Sequence, residues 1–361
     1  MNTQLPKPQM LEQLEQQFWQ YQSLSEPVHA PMTTMEDEVA FVWRHKLAVE
    51  RAAEFKRIQK NLKRNEEQEK LKQFFCRAYE TELGRLMAQP EGLQRVLGIE
   101  VAQLEMLELL LNPDGDVRRL TRFIEADPWL SQALIRHINS NRSEYRRASG
   151  LQDVHLAINY LGYEKLAQLI PGLVFEHWSW SPDQSQGLHQ RKLWRWCRLL
   201  KSKAEHWLRE EGENPDHARI YACLFALGPI LIHRKATHLY QRMRGEWMNQ
   251  ARLEPGGELY EALRYLRLPC EPVAEHLQQH LVIGRRFLEG IGYQGRLLEL
   301  MGSLEQPWLR AEPAARAMSR AFGEVVYLTL SGRVMKEVDG LEVISGYYQI
   351  PEARVKAQSR R

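Results

Sequence analysis

Twice in this chain a helix-capping residue stands directly before a proline and a helically spaced apolar run, at Asp127-Pro128 and at Asn214-Pro215. The capping side chain accepts from the first free N–H groups of a helix, and proline has no N–H to leave unpaired there. Asp127-Pro128 opens a run in which Leu130, Ala133, Leu134 and Ile138 share one face. Asp116 is a further start, ahead of Val117, Leu120, Phe123 and Ile124. Ser149 is another, with Val154, Ala157, Ile158 and Leu161 facing inward and Gly162 as the stop. Alternation of the kind a half-buried strand needs appears nowhere. The spacing predicts an all-α fold of short, sharply bounded helices.

These helices occupy residues 99–290, and residues 291–361 add C-terminal helices that pack on them or complete them. Leu193, Trp196, Cys197, Leu200, Ala204 and Trp207 form one face of a longer helix. The longest apolar run, Ile220 to Ile232, is broken by Gly228-Pro229 and falls short of the roughly 20 residues a membrane span needs. It reads as a core helix and its end. Residues 1–35 form a polar tail with one amphipathic stretch, where Leu11, Leu14, Phe18 and Trp19 share a face, a docked helix or a loose tail. Residues 36–98 read as a long helical segment with an all-polar middle, KRNEEQEK at 63–70. Its apolar positions up to 87 need a partner, either a second copy, another protein or the chain's own core.

Function classes narrow with composition. The 49 basic and 46 acidic side chains leave a net charge of +3, too little for the clustered basic face that nucleic acid draws. Four cysteines (Cys76, Cys197, Cys223 and Cys270) are far apart and form no CxxC pair. They predict buried, reduced thiols and a cytoplasmic protein, with no zinc ribbon and no disulfide framework. The first residues, MNTQLPKPQM, carry no apolar signal core.

Five segments, taken in order, resemble the HDOD domain. VRRLTRFIEADPWLSQALIRHINSN is similar to the family's opening, down to the Asn139-Ser140 pair. LQDVHLAINYLGYEKLAQLI, LWRWCRLLKSKAEHWL, RIYACLFALGPILI and EALRYLRLPCEPVAEHLQQH are similar to its later helices. The resemblance covers residues 99–290 and implies an HD-like helical bundle, a relative of HD-type metal phosphohydrolases. Such an enzyme needs imidazoles and a carboxylate converging on a metal that activates water. By resemblance the His-Asp pair falls on Phe225 and Ala226, and a histidine of the preceding helix falls on Trp196. None of the three can ligate. They mark a degenerate metal site, with no catalytic residue, no resident metal and no cofactor.

Other chemistry-bearing groups have two readings each. His276 and His280, four apart, are either a metal pair or a solvent-facing helix surface; Leu277 stands where HExxH puts its glutamate, which favours the surface. His233 and His238, after the apolar run, are either ligands or, for His233 next to Arg234, a charge near a helix end that suits the dipole. Trp178, Trp180, Trp194 and Trp196 crowd around the lost site, as core filling or as a stacking platform for a nucleotide. The expected protein is a non-catalytic, bacterial-type signalling protein that binds a protein partner, with self-association through 36–87 as one outcome. Its rivals are a metal phosphohydrolase with a rebuilt ligand set and a nucleotide receptor.

Overall fold

The structure, a computed structural model, describes residues 7–23, 69–89, 98–112, 115–140, 150–179, 187–253, 258–264, 266–307, 310–331, 339–351 and 354. The described residues are helical throughout, with no strand. In chain order the helices are α1 (Gln9–Ser23), α2 (69–87), α3 (Val101–Leu109), α4 (Val117–Ala126), α5 (Pro128–Asn139), α6 (Val154–Ser179) and α7 (Gly187–Glu210). After a 3-10 turn at Pro215–His217 come α8 (Ala218–Phe225), α9 (Leu227–Ala251), α10 (Glu258–Arg264), α11 (Cys270–Gln278) and α12 (His280–Gly290). The last three are α13 (Arg296–Leu304), α14 (Pro313–Leu330) and α15 (Asp339–Tyr348).

The capping signals act as written. Asp116 accepts from the N–H groups of Arg118 and Arg119, and Asp127 from that of Leu130. Asn214 accepts from Asp216, but Pro215 opens the 3-10 turn before α8 rather than α8 itself. Ser149 lies outside the described residues; Asp153 caps α6 through the N–H of Leu156. Gly162 does stop the first half of α6, since its φ of 72° breaks the ladder before the chain resumes as helix. On α4 only Leu120 and Ile124 are fully buried, and Val117 faces solvent.

Two expectations need correction. Gly228-Pro229 does not end a helix: α8 ends at Phe225, and Gly228 and Pro229 lie in the first turn of α9. Proline is tolerated there because first-turn N–H groups have no partner four residues back. Gly228 is needed for packing, since a Cβ on it would lie 1.9 Å from the carbonyl oxygen of His280. His233 therefore sits inside α9, not near a helix end, and His238 lies further along the same helix.

The long α7 is the spine. α14 packs along it, and α8 and α1 take other parts of its surface. Leu193, Trp196, Cys197, Leu200, Ala204 and Trp207 are all buried, as their spacing predicts. Glu211, just past α7, accepts from Arg316 at 2.6 Å and from Arg320 at 3.0 Å, which fixes α14 in register. The C-terminal helices are thus part of the same core. Among the described residues no helix is long and apolar enough to cross a membrane.

The N-terminal segments also belong to this core. α1 lies against α11, α14 and α15, with Leu11, Leu14, Phe18 and Trp19 buried. The docked reading of that amphipathic stretch is the one observed. In α2, Phe75 meets Trp247 edge-on at 4.9 Å, and the Tyr79 hydroxyl donates to the carbonyl of Ala236 at 2.9 Å. Leu83 and Met87 are buried on the same side, so this half of the 36–87 segment packs on the chain's own core. Residues 36–68 lie outside the described residues.

Candidate functional site

Trp196, Phe225 and Ala226 lie together where α7, α8 and α9 meet. Trp196 sits on the inner face of α7, Phe225 is the last residue of α8, and Ala226 is the link between α8 and α9. The Trp196 and Phe225 ring centroids are 6.1 Å apart, and Ala226 has no exposed surface. α1 covers the pair. The Trp19 indole lies 5.6 Å from Trp196 and stacks on Phe322 of α14 at 5.8 Å, and Phe322 lies 5.3 Å from Phe225. Aromatic pairs at such separations gain both area burial and quadrupole contact. Trp196 and Phe225 thus belong to a cluster of aromatic rings.

His280 is the one titratable side chain within this cluster. Its ring is 4.8 Å from Trp19 and 5.0 Å from Phe225, and only 5% of the residue is exposed. The solvent-facing reading is therefore wrong for His280. The metal-pair reading lacks its helix, because Gln279 breaks the backbone between α11 and α12 (φ −99°, ψ 17°) and leaves half-buried His276 on the other side. His280 Nδ1 is 2.9 Å from the carbonyl of Leu277 and, as the donor, carries the proton. Its Nε2 lone pair and the Trp196 Nε1–H are both buried without a hydrogen-bond partner among the described residues. Burial is the main cause that lowers the His280 pKa from 6.5 to about 3, with Lys7 adding to it.

That shift makes a measurable statement about stability. Between pH 6.5 and 3 the unfolded chain takes up a proton at this position and the folded chain does not. Stability is present above pH 6.5 and is lost as pH falls through this window, by up to about 1.4 kcal/mol per unit. His280→Phe keeps the ring and removes the proton. Urea denaturation between pH 7 and 4.5 is expected to give the variant a shallower decline than the parent. Parallel curves would show that His280 protonates freely in the folded state.

The tryptophans do not form one cluster. Trp178, on α6, has no exposed surface, and its Nε1–H donates to Gln103 at 2.8 Å, while Gln103 Nε2 donates to Asp127 at 3.0 Å. It pins three helices and offers no face for stacking. Trp194 points away from Trp196, edge-on to Phe175 at 4.8 Å. Trp180 lies outside the described residues. Only Trp196 is at the degenerate site, and the other indole there is Trp19. Asn139 has a backbone role: it both donates to and accepts from Leu151, at 2.6 and 2.8 Å.

No cluster of three metal-ligating side chains exists among the described residues. At the degenerate positions, a single imidazole lone pair remains among rings. All four cysteines are free, Cys197 and Cys223 buried and Cys76 and Cys270 partly so. Sequence reasoning missed Phe322 and the burial of His280. A signal for Phe322 was its setting among Ala317, Ala321 and Gly323, where small neighbours let helices approach closely and leave contact to the large ring.

An all-helical bundle with a closed, ring-filled centre is the class that fold and site define. Residues 99–254 match the family model of the HDOD domain, so the chain carries an HDOD domain. The match takes in Trp196, Phe225 and Ala226 and stops before His276 and His280. No curated protein and no solved structure matches the chain.

Proposed function

We propose that this protein is a non-catalytic regulatory scaffold that acts by binding a protein partner in a signalling pathway. One observation carries the reading. Where an HD-type site would gather ligands around water and metal, this chain places Trp196, Phe225 and Ala226, with Trp19 of α1 packed on Trp196 and Phe322 of α14 on Phe225. A phosphohydrolase needs an open coordination position and a route for substrate to reach it. Trp196, Phe225 and Ala226 supply no ligand for that position, although a cavity of about 420 Å³ lined by Lys7, Glu15 and Tyr348 reaches Phe225, His280 and Phe322. The rings of Trp19 and Phe322 come from outside the HDOD match, from α1 and α14, so this packing is a property of the whole chain.

The purified full-length protein is expected to carry well under one equivalent of iron, manganese or zinc by elemental analysis. It is expected to turn over neither phosphomonoesters nor phosphodiesters. Near-stoichiometric metal, together with turnover that chelation abolishes, would overturn the reading and favour a rebuilt metal site.

Self-association is a further part of the proposal, and a specific observation narrows where to look. Phe74 is 66% exposed on α2, although its neighbour Phe75 is buried. It leans on Trp247 at 5.7 Å and leaves an apolar face outward. Truncating residues 1–98 is a poor test, because α1 and α2 fill the core. Light scattering on the full chain is expected to show a dimer that Phe74→Glu weakens. A parent that stays monomeric at every concentration defeats this part of the proposal.

A further inference from the structure

We propose that a cleft between α6, α7 and α8, on the far side of α7 from the aromatic core, binds a small aromatic anion: a flat ring system carrying one phosphate. The cavity is about 230 Å³. It lies below the roughly 300–1,000 Å³ common for drug-sized ligands, so its occupant is small.

Each helix gives the cleft one stripe at helical spacing. α7 contributes Trp194, Cys197, Arg198 and Lys201, which are i, i+3, i+4 and i+7. α8 contributes Arg219, Ala222 and Cys223, and α6 lends Gly172. A Cβ on Gly172 would lie 3.4 Å from Arg219 Nη1, an ordinary contact, so the glycine sets bare backbone beside the guanidinium.

The floor and the rim differ in chemistry. Cys197 and Cys223 are buried thiols at the floor, where the hydrogen bond to Cys223, followed by burial, keeps Cys197 protonated, so the pair acts as an apolar surface. Trp194 forms a wall, held upright by its edge contact with Phe175. A flat ring fits between this wall and the thiol floor. The rim is basic: Arg198, Lys201 and Arg219 line it, against the single acid Glu176. Lys201 is partly neutralised by Glu205 at 2.5 Å, and Arg219 is anchored through one nitrogen by the carbonyl of Gln168. Arg198 forms no ion pair among the described residues. The anchored Arg219 keeps its other donors for an anion, and a forked guanidinium matches phosphate oxygens two at a time.

Isothermal titration of the full chain with 1-naphthyl phosphate tests this site, with 1-naphthol as the uncharged control. Saturable binding of the phosphate is expected, weakened about tenfold or more in 1-naphthol and in Arg198→Glu, as loss of a charge-assisted contact implies. Arg198 is exposed on its helix, so this variant keeps the fold, and far-UV circular dichroism checks that. Trp194→Leu is expected to weaken both compounds, since it removes the wall and not the charge. Absence of saturable heat with the parent, or an affinity that Arg198→Glu leaves unchanged, overturns the assignment.

Discussion

Phe225→His combined with Ala226→Asp is expected to melt several degrees below the parent, to gain no phosphohydrolase activity and to be unrescued by manganese. Phe225 is packed between His280 at 5.0 Å, Phe322 at 5.3 Å and Trp196 at 6.1 Å. Truncating such a ring to alanine costs about 3–5 kcal/mol; histidine restores part of the volume but brings nitrogens that need partners. Ala226 is fully buried, so an aspartate there must find a partner or stay protonated. One effect opposes this cost. Residue 226 is the N-cap of α9, where aspartate is ordinarily favoured by about 1 kcal/mol. Here the gain is small, because the Ala226 backbone is already helical (φ −81°, ψ −7°) and Pro229 removes the donor at the third position. The closeness of His280 would give a new His-Asp pair one more imidazole. The rings of Trp19 and Phe322 crowd that imidazole and leave it without a second carboxylate or histidine beside it among the described residues. Thermal melts with and without manganese decide the matter: a metal-dependent rise in melting temperature means that the site is intact apart from two residues.

What was legible in the sequence was what the chain settles within a few residues of itself. Asp116 and Asp127 could be read because a cap and its acceptors are two or three positions apart. The inward face of α7 could be read because periodicity records burial along one helix. Gly228-Pro229 misled because the same pair serves equally to stop a helix or to occupy the first turn of the next one. His280 misled because its neighbour Gln279, which breaks the helix, is neither Gly nor Pro and carries no breaker signal. The degenerate positions were legible only through the family resemblance, and how they are filled was not legible at all. Trp19 and His280 are at opposite ends of the chain, and the contact between them depends on how α1 docks across α11 and α14.

That docking rests on one side chain more than any other, so Trp19→Ala is expected to be the most destabilising single truncation in α1. The indole is 1% exposed and touches Phe18, Trp196, His280 and Phe322. Removing a buried tryptophan costs about 3–5 kcal/mol, and the upper part of that range applies where the walls cannot collapse. Beyond Phe18 of α1 itself, these walls are rings on α7, α12 and α14, held by their own helices. The polar ties of α1 persist: Tyr348 donates to Glu15 at 2.9 Å, and Lys192 donates to the carbonyl of Tyr21 at 2.8 Å. The helix should therefore stay in place over a cavity instead of leaving. The cavity would not be purely apolar, since the His280 Nε2 lone pair and the Trp196 Nε1–H, both without partners among the described residues of the parent, would line it. Water can enter a space with such partners. Hydration would relieve the desolvation that holds His280 near 3 and return its pKa toward 6.5. Trp19→Ala should thus lower stability near pH 7 and also flatten its fall toward pH 4.5, as His280→Phe does. The two substitutions should not add in that slope, because both remove the same proton difference. Denaturation of the two variants and their combination across this pH range reads both quantities together. A Trp19→Ala protein within about 1 kcal/mol of the parent at pH 7, with the parent's pH slope, would show that α1 does not seal the centre of the bundle.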